Sequence, residues 1–340
     1  MKQFKRVIAL VIAAIMMMSF ASCSMMPETA TEITNDNIKI GVILKDTQDT
    51  TTGSTGSSMA AINEVLNLGY GIGEERFNTV ESVNPDDAAA VAAALETLIN
   101  KECNLIIATE NGYLDDVQRV SADNEKIKFL VCGADKDGKN IYGYKADMTD
   151  AMYLTGMVAG MKAAELEVKK VGFVAANEKE KAMFEAFEKG VKAADAEATV
   201  SVVYSTDAAT AADKLIKEGC VVLASDYEDE AIAKAATEGK IFFCGFGTET
   251  YKNATNEETG DKLYESAFLC APLYNYAQIY VSVIKAVVDG SVEEKADLLA
   301  EAFVEGGFVE GVTFLSDLNE NTVAEGTQEA LNTAIAALEK

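Results

Sequence analysis

Residues 148–175 read MTDAMYLTGMVAGMKAAELEVKKVGFVA, and this stretch decides the fold. Met148–Leu166 is a long apolar segment with small residues at Gly156, Ala159 and Gly160, which predicts a buried helix. Val171–Ala175 is a short apolar run, typical of a buried strand. An alternation of predicted strands and helices begins at residue 38, and the same alternation begins again here.

Short apolar runs alternate with amphipathic stretches on both sides of this segment. The predicted strands are 38–44, 77–80, 104–108, 127–132, 141–144, 171–175, 199–204, 220–224 and 241–245. The predicted helices are 59–68, 85–100, 114–122, 178–194, 208–218, 228–238 and 274–288, with Asn84 as the N-cap before Pro85. An extended segment over 264–269, strand-like residues 303–314 and a terminal helix near 322–338 complete the chain. Such alternation predicts βαβ units on parallel sheets.

The two series meet near residue 145, which predicts an α/β protein of two lobes. The first lobe comprises 38–145 plus about 250–290, and the second 146–249 plus about 291–340. Ligands of such sheets bind outside the carboxyl ends of the strands, so we expect the loops of both lobes to face one cleft. We expect hinges near 144–147 and 246–250, about which the lobes close on a ligand.

The N-terminus has the pattern of a processing signal. Residues 1–6 carry three basic residues, 7–18 are apolar, and Ala21-Ser22 precedes Cys23. A basic region, a short apolar region and small residues before a cysteine are typical of a bacterial lipoprotein signal. We expect a signal peptide over 1–22, a lipidated Cys23, and a flexible tether over 23–37. The protein would then lie on the extracytoplasmic face of the membrane.

The composition excludes several classes of function. The 340 residues include 55 Asp and Glu against 29 Lys and Arg, a formal net charge of -26, and no His. The lack of His removes Ser-His-Asp and Cys-His catalysis and the HExxH zinc site. No CxxC motif is present, and the five cysteines after Cys23 are interpreted as buried small hydrophobic residues. The acidic charge argues against nucleic acid as a partner.

Acidic groups could form a two-carboxylate glycosidase site or a calcium loop, but neither is favoured. With 55 acids, adjacent pairs arise by chance, and most of them fall in the first turns of predicted helices, where the helix dipole favours them. The segments Asp135–Gly138 and Asp317–Asn321 lack the ligand spacing of a calcium loop. We therefore predict no enzyme activity, no cofactor and no metal site.

Several motifs, in order, resemble one protein family. They are Tyr153–Gly160 (YLTGMVAG) before Val171–Val174 (VGFV), then Phe187–Lys192 (FEKGVK), Asn104–Tyr113 (NLIIATENGY) and Val281–Lys285 (VSVIK). Together they resemble the basic membrane protein family, the purine-nucleoside-receptor-type substrate-binding lipoproteins of ABC transporters. The resemblance covers roughly 38 to 314. It implies a periplasmic-binding-protein type I fold, with two Rossmann-like lobes that clamp a ligand.

The nucleoside site of that family is only partly retained. The family's first loop carries an Asp, an Asn and a Phe that bind and stack on the ligand, whereas Asp49–Ser54 here reads DTTTGS. Gly247 stands where the family has the Asp that holds the ribose, and Tyr274 stands where it has a Lys. Met183 takes the place of an aromatic residue, with Phe184 beside it. We expect nucleosides to bind about 10- to 1000-fold more weakly than in typical members.

The candidate ligand-binding residues follow from loop position and from this resemblance. They are Asp46, Asp49, Thr52, Ser54, Tyr113, Asp135, Phe184, Asp226, Gly247 and Tyr274. The Thr50–Ser58 loop could also be a flexible loop that caps a helix, and the aromatic residues could serve packing. We nominate the hydroxyls of Thr50–Ser54, Asp226 and Glu249 to replace the lost contacts.

The predicted function is capture of a small polar ligand, with a purine nucleoside or a related compound favoured, and its delivery to an ABC permease by a monomeric lipoprotein. A ligand sensor for a membrane receptor would need the same closing cleft and remains an alternative. An extracellular enzyme acting on a sugar or nucleoside is the weaker alternative, because neither His nor a nucleophile motif is present.

Overall fold

Parallel strands form two separate sheets in the computed structural model. It describes residues 33–67, 71–134, 140–179, 181–290, 305–309 and 311–339. The strands are β1 Ile40–Ile43, β2 Phe77–Val80, β3 Leu105–Ala108, β4 Lys128–Cys132, β5 Ile141–Ala146, β6 Lys170–Ala175, β7 Thr199–Tyr204, β8 Val222–Ser225, β9 Phe242–Phe243, β10 Pro272–Tyr274, β11 Glu305–Gly306 and β12 Thr313–Leu315. The first sheet has the order β11-β5-β4-β3-β1-β2 and the second β7-β6-β8-β9, and every pair within them is parallel.

Helices cover both faces of each sheet. They are α1 Gly53–Asn67, α2 Ala88–Asn100, α3 Leu114–Ser121, α4 Thr149–Glu165, α5 Ala182–Ala194, α6 Ala208–Lys217, α7 Glu230–Glu238, α8 Ala277–Val288 and α9 Thr327–Leu338. In the first lobe, α1 and α8 pack on one face and α2 and α3 on the other. In the second lobe, α4, α5 and α9 pack on one face and α6 and α7 on the other. The predicted α/β architecture of two parallel-sheet lobes is confirmed.

Strand alternation explains why each sheet is buried on both faces. In β1, Val42 packs under α1 and α8, whereas its neighbour Ile43 packs under α2 and α3. In β6, Phe173 and Val174 divide between the two faces in the same way. Successive side chains of a strand point to opposite faces, so a strand covered by helices on both sides must be apolar throughout.

The helix α4, quoted at the start of the sequence analysis, packs against α5 through two glycines. A Cβ on Gly156 would lie 2.1 Å from the carbonyl oxygen of Phe187, and one on Gly190 would lie 1.9 Å from that of Tyr153. No side chain fits at these distances, so the two helices approach backbone to backbone. The small residues of the motif are therefore a requirement of packing.

Over the residues that the structure describes, the chain passes between the lobes at three places. The first is at 146–148 between β5 and α4, and the second is at 274–277 between β10 and α8. The third lies between the end of β11 at Gly306 and the start of β12 at Thr313. The predicted hinge near 144–147 coincides with the first crossing. The predicted hinge at 246–250 does not coincide with a crossing, because Gly247 N donates to Pro272 O (2.9 Å) within the second lobe.

Residues 251–273 pack in the second lobe, whereas the sequence prediction assigned about 250–290 to the first. Tyr251, Tyr264 and Phe268 surround Phe243 of β9, with ring centroids 5.6, 6.5 and 5.6 Å away. Phe268 also pairs with Phe243 as a parallel bridge. The aromatic residues of this segment therefore extend the second sheet, a pairing that local periodicity does not reveal.

The starts of α1 and α2 are among those that differ from the prediction. The side chain of Asp87, and not that of Asn84, caps α2 by accepting from the backbone N–H groups of Ala89 and Ala90. Asn84 instead stabilises the preceding turn, where its Oδ1 accepts from Asp86 N at 3.0 Å. The other helix, α1, begins at Gly53, so most of the predicted Ser/Thr/Gly loop is helical. Thr55, Gly56 and Ser58 of this segment are buried, and Ser58 accepts a hydrogen bond from Tyr280 of α8 at 3.1 Å.

Cys103, Cys132, Cys220, Cys244 and Cys270 are free thiols, and all except half-buried Cys132 are buried. This confirms their interpretation as small hydrophobic residues. Over the part of the chain that the structure describes, no helix has both the length and the apolar character needed to cross a membrane. The predicted signal peptide, Cys23 and the 291–304 part of the tail lie outside the described residues.

Candidate ligand-binding cleft

The first lobe contributes the loop after β1 and the first turn of α1 to the cleft. The backbone N–H of Asp46 donates to Thr55 Oγ1 at 3.1 Å, which ties the loop to the helix. Ser54 Oγ donates to Glu110 Oε1, just beyond the end of β3. The hydroxyl of Ser54 and the carboxylate of Glu110 therefore stand together at the carboxyl edge of the sheet, where ligands of such folds bind.

The second lobe contributes the ends of β6 and β8. Asp226 follows β8 directly and is only 8% exposed. Its Oδ1 accepts from the backbone N–H of Ala176, just after β6, at 2.8 Å. This bond joins two neighbouring strand ends, so the Asp226 carboxylate is fixed in place at the edge of the second sheet.

Hydrogen bonds to Glu228 connect the two lobes. Gly53 N, in the first turn of α1, donates to Glu228 Oε2 of the second lobe at 2.6 Å. The side chain of Thr52 also forms a hydrogen bond with Glu228, and both bonds act to lower the pKa of its carboxyl group. Burial outweighs them and raises that pKa above its ordinary value. The contact brings the lobes together over the positions predicted to bind ligand.

Gly247 lies beside this interlobe contact. Its φ of +69° is in the left-handed region, which glycine adopts without strain. A Cβ built on Gly247 would lie 3.9 Å from Glu228 Oε2 and 3.9 Å from a ring carbon of Tyr274. Gly247, Tyr274 and Thr52 were predicted to share one site. In the structure Gly247 lies beside both Tyr274 and Glu228, and Glu228 forms a hydrogen bond with Thr52.

Aromatic rings line the back of this position. Tyr274 stacks on Tyr276 with centroids 5.4 Å apart and meets Phe246 edge to face at 6.1 Å. Burial, followed by the nearby Cys132 and Asp226, raises the pKa of the Tyr274 hydroxyl well above its ordinary value. Tyr274 therefore remains a neutral phenol. It can donate a hydrogen bond or offer part of its ring, but it cannot supply the positive charge of the family's Lys.

Three predicted contacts have different surroundings. Tyr113 is 0% exposed and its hydroxyl donates to Val83 O at 2.7 Å, so its ring is core packing and offers no face to a ligand. Phe184 is half-buried against Phe173, with centroids 5.5 Å apart. Asp49 is exposed on the loop after β1. Asp135 lies outside the described residues.

A depression of about 420 Å³ lies on the first lobe beside the loop after β1. Its lining combines one basic and one acidic side chain with polar groups, namely Lys45, Asp46, Thr47, Thr50, Ser82 and Asn84. Asp46 is thus exposed to solvent on the loop while its backbone N–H is used within the lobe. A small polar solute could enter here from solvent.

Sequence reasoning missed Glu228 and Glu110. Both stand two or three residues past a strand end, which was the available signal, but Glu228 falls within the predicted helix 228–238. The helix α7 in fact starts at Glu230, with the Asp229 side chain as its N-cap. Glu228 therefore precedes the helix and reaches across to the first lobe.

The cleft offers hydrogen-bond acceptors, hydroxyls and aromatic edges. Within the described ranges, no group of three or more Cys, Asp or Glu side chains is arranged to hold a metal ion. The arrangement suits reversible binding of a polar solute between two lobes, with carboxylates as acceptors and tyrosines as partly apolar walls.

Solved structures share this architecture. A solute-binding protein of an ABC transporter system from Conexibacter woesei aligns with a TM-score of 0.66 and 15% identity, covering 89% of this chain and 97% of that one. A transcriptional activator of the comK gene from Bacillus halodurans aligns with a TM-score of 0.69 and 19% identity, covering 89% and 98%. At these identities the likeness shows the fold alone.

Sequence comparisons give the family. A candidate ABC transporter glucose-binding protein, TsgA13, of Haloferax volcanii is 26% identical over 253 residues, which is 72% of this chain and 59% of that protein's length. The profile of the Bmp family, described as PnrA-like ABC transporter substrate-binding proteins, matches residues 32–264. With two parallel-sheet lobes and a polar cleft between them, the chain belongs to the Bmp family of ABC transporter substrate-binding proteins.

Proposed function

We propose that this protein is a lipid-anchored, monomeric lipoprotein that captures a small polar ligand outside the cell and delivers it to an ABC permease. The observation that carries the proposal is the family match over residues 32–264. The interlobe contact between Gly53 and Glu228 supports it, because a solute-binding protein needs loops of both lobes within reach of one ligand.

The ligand is proposed to be a purine nucleoside or a sugar. A purine nucleoside follows from the family resemblance, and stacking near Tyr274 and Phe246 suits a planar base. A sugar is supported by the related protein named for glucose binding and by the number of acceptors at the strand ends, among them Asp226 and Glu110. Carboxylates paired with aromatic surfaces suit the hydroxyls and apolar faces of either class.

The experiment that tests binding uses no prior guess of the ligand. Protein purified from its native host is washed, denatured and analysed by mass spectrometry for released small molecules. We expect one stoichiometric polar solute. Incubation of the native protein with that solute should leave it chemically unchanged, and conversion to a product would contradict the binding role.

Calorimetry with inosine, guanosine and glucose then assigns the ligand class. Gly247 and Tyr274 remove a carboxylate and an ammonium that the family uses, so we expect nucleosides to bind about 10- to 1000-fold more weakly than in typical members. Nanomolar binding of inosine or guanosine would show that other groups compensate. Transport is tested separately, since deletion of the gene should abolish uptake of the identified solute, whereas a sensor would leave uptake intact.

The lipid anchor is tested at Cys23. A Cys23→Ser change should release the protein from the membrane or leave its signal uncleaved, because the acylated thiol is lost. A Ser24→Ala variant is the matched control and should be processed normally. Membrane attachment of the Cys23→Ser protein with normal processing would contradict the anchor.

A further inference from the structure

The carboxylate of Glu228 occupies a position that usually attracts anionic ligands. The N-terminus of a helix presents unpaired backbone N–H groups and a positive dipole end, and phosphates and carboxylates bind there. At α1 that position is taken by the protein itself, since Gly53 N donates to Glu228 Oε2 at 2.6 Å across the cleft. The Thr52 side chain forms a hydrogen bond with the same carboxyl group.

The same carboxylate stands beside the residue that departs from the family pattern. Glu228 Oε2 would be 3.9 Å from a Cβ on Gly247, where other members carry the Asp that holds the ribose. From the sequence, Asp226 and Glu249 were expected to replace that carboxylate. Asp226 accepts from Ala176 N at 2.8 Å at the ends of β6 and β8, and Glu249 is exposed. Glu228 is the carboxylate that borders Gly247, so it is the best placed of the three.

No described lysine or arginine acts on the pKa of the Glu228 carboxyl group. The described groups that act on its pKa are the hydrogen bonds from Gly53 and Thr52, and those that act on Tyr274 are Cys132 and Asp226. Neither set includes a lysine or an arginine. Glu110, next to Ser54, adds a further carboxylate on the first lobe. An anion brought to this position would meet repulsion from charges of its own sign.

We infer that Glu228 determines the ligand class of the cleft, which accepts neutral or cationic solutes that donate hydrogen bonds and rejects phosphorylated or carboxylated ones. The inference rests on the proposed function, because it concerns a ligand held between these lobes. Glu228 replaces the missing Asp at the Gly247 position and, before a ligand arrives, holds the N-terminus of α1.

Matched probe pairs test the inference by calorimetry. They are glucose with glucose 6-phosphate, inosine with inosine 5′-monophosphate, and glucosamine as a cationic probe. In the unmodified protein, the neutral or cationic member should bind about 10- to 100-fold more tightly than its phosphorylated partner. Glu228→Gln keeps an acceptor for Gly53 N but removes the charge, and it should reduce that ratio to a few-fold.

Glu238→Gln is the control for net charge. Glu238 is exposed at the end of α7, and its replacement changes the net charge by the same amount. It should leave the ratio unchanged. An equal fall in both variants would overturn the assignment to Glu228, as would tighter binding of the phosphorylated member to the unmodified protein.

The molecule released by denaturation gives a second test. A neutral or cationic solute supports the inference, and a solute that carries phosphate or carboxylate overturns it while the proposed function stands. If no molecule is released and no probe binds, the proposed function fails and the inference fails with it. The two failures are therefore distinguishable.

Discussion

The glycines of the second lobe serve two opposite purposes. At Gly156 and Gly190 a Cβ would lie about 2 Å from a backbone carbonyl oxygen, so glycine is required because two helices touch. At Gly247 a Cβ would meet its nearest neighbours only at 3.9 Å, so glycine is favoured by the φ of +69° and leaves space open. The comparison shows that Gly156 and Gly190 are needed for the packing of α4 against α5, whereas Gly247 affects which ligand fits in the cleft.

The largest effect on stability should come from adding a side chain at a glycine of the contact between α4 and α5. A Cβ at position 190 would lie 1.9 Å from Tyr153 O, so the branched side chain of Gly190→Val forces α4 and α5 apart. The free energy of unfolding should therefore fall by about 4 kcal/mol. Urea denaturation measures it. Ala193→Val, on the exposed side of α5, is the control and should cost less than about 1 kcal/mol. A small effect at Gly190 would contradict the close helix contact.

An intermediate effect should come from Asn319, which secures the C-terminal tail to the second lobe. Asn319 is 2% exposed, and its Nδ2 donates to Glu265 O (2.6 Å) and Phe268 O (3.0 Å). Asn319→Ala leaves these carbonyl groups without their donor, so the free energy of unfolding should fall by about 2 kcal/mol. Asn332→Ala, exposed on α9, should change it little, and equal effects would contradict a structural role for the tail.

The smallest change in stability should come from substitution of Gly247, which has space around its Cβ position. Gly247→Asp restores the residue that the family has at this position. An Asp with φ of +69° costs about 1 kcal/mol of stability. Its carboxylate would also stand beside that of Glu228. We therefore expect no gain in inosine affinity. Gly247→Asn is the control, with the same shape and no charge. A tenfold gain for Gly247→Asp over Gly247→Asn would show that Glu228 does not fill the ribose position.

The sequence predicts the fold well because its signals are local. Apolar runs such as 38–44 and 171–175 lie within a few residues of the strands that they predict, and the small residues around Gly156 mark a helix contact. Pairing between distant segments is less visible. Nothing in residues 251–273 indicates that Phe268 pairs with Phe243, so the assignment of this segment to a lobe was wrong.

The cleft was predicted only in part, for a related reason. Strand-end position indicated Thr52, Ser54 and Asp226, which the structure places at the edges of the two sheets. It could not distinguish a side chain that faces the cleft from one in the core, as Tyr113 shows. The family pattern indicated Gly247 as a ligand-binding position but gave no signal for Glu228, whose partner Gly53 is 175 residues distant in sequence. Contacts between lobes depend on the three-dimensional arrangement, which single-residue patterns do not encode.

The buried cysteines make this protein convenient for fluorescence. Burial raises the pKa of Cys103 and Cys132 to about 11 and also raises those of Cys220 and Cys270. At neutral pH a thiol of pKa 11 is about 0.01% thiolate, against about 3% for an ordinary one. Maleimide dyes should therefore prefer cysteines engineered on exposed sites, one on each lobe. Energy transfer between such dyes could report lobe closure in real time.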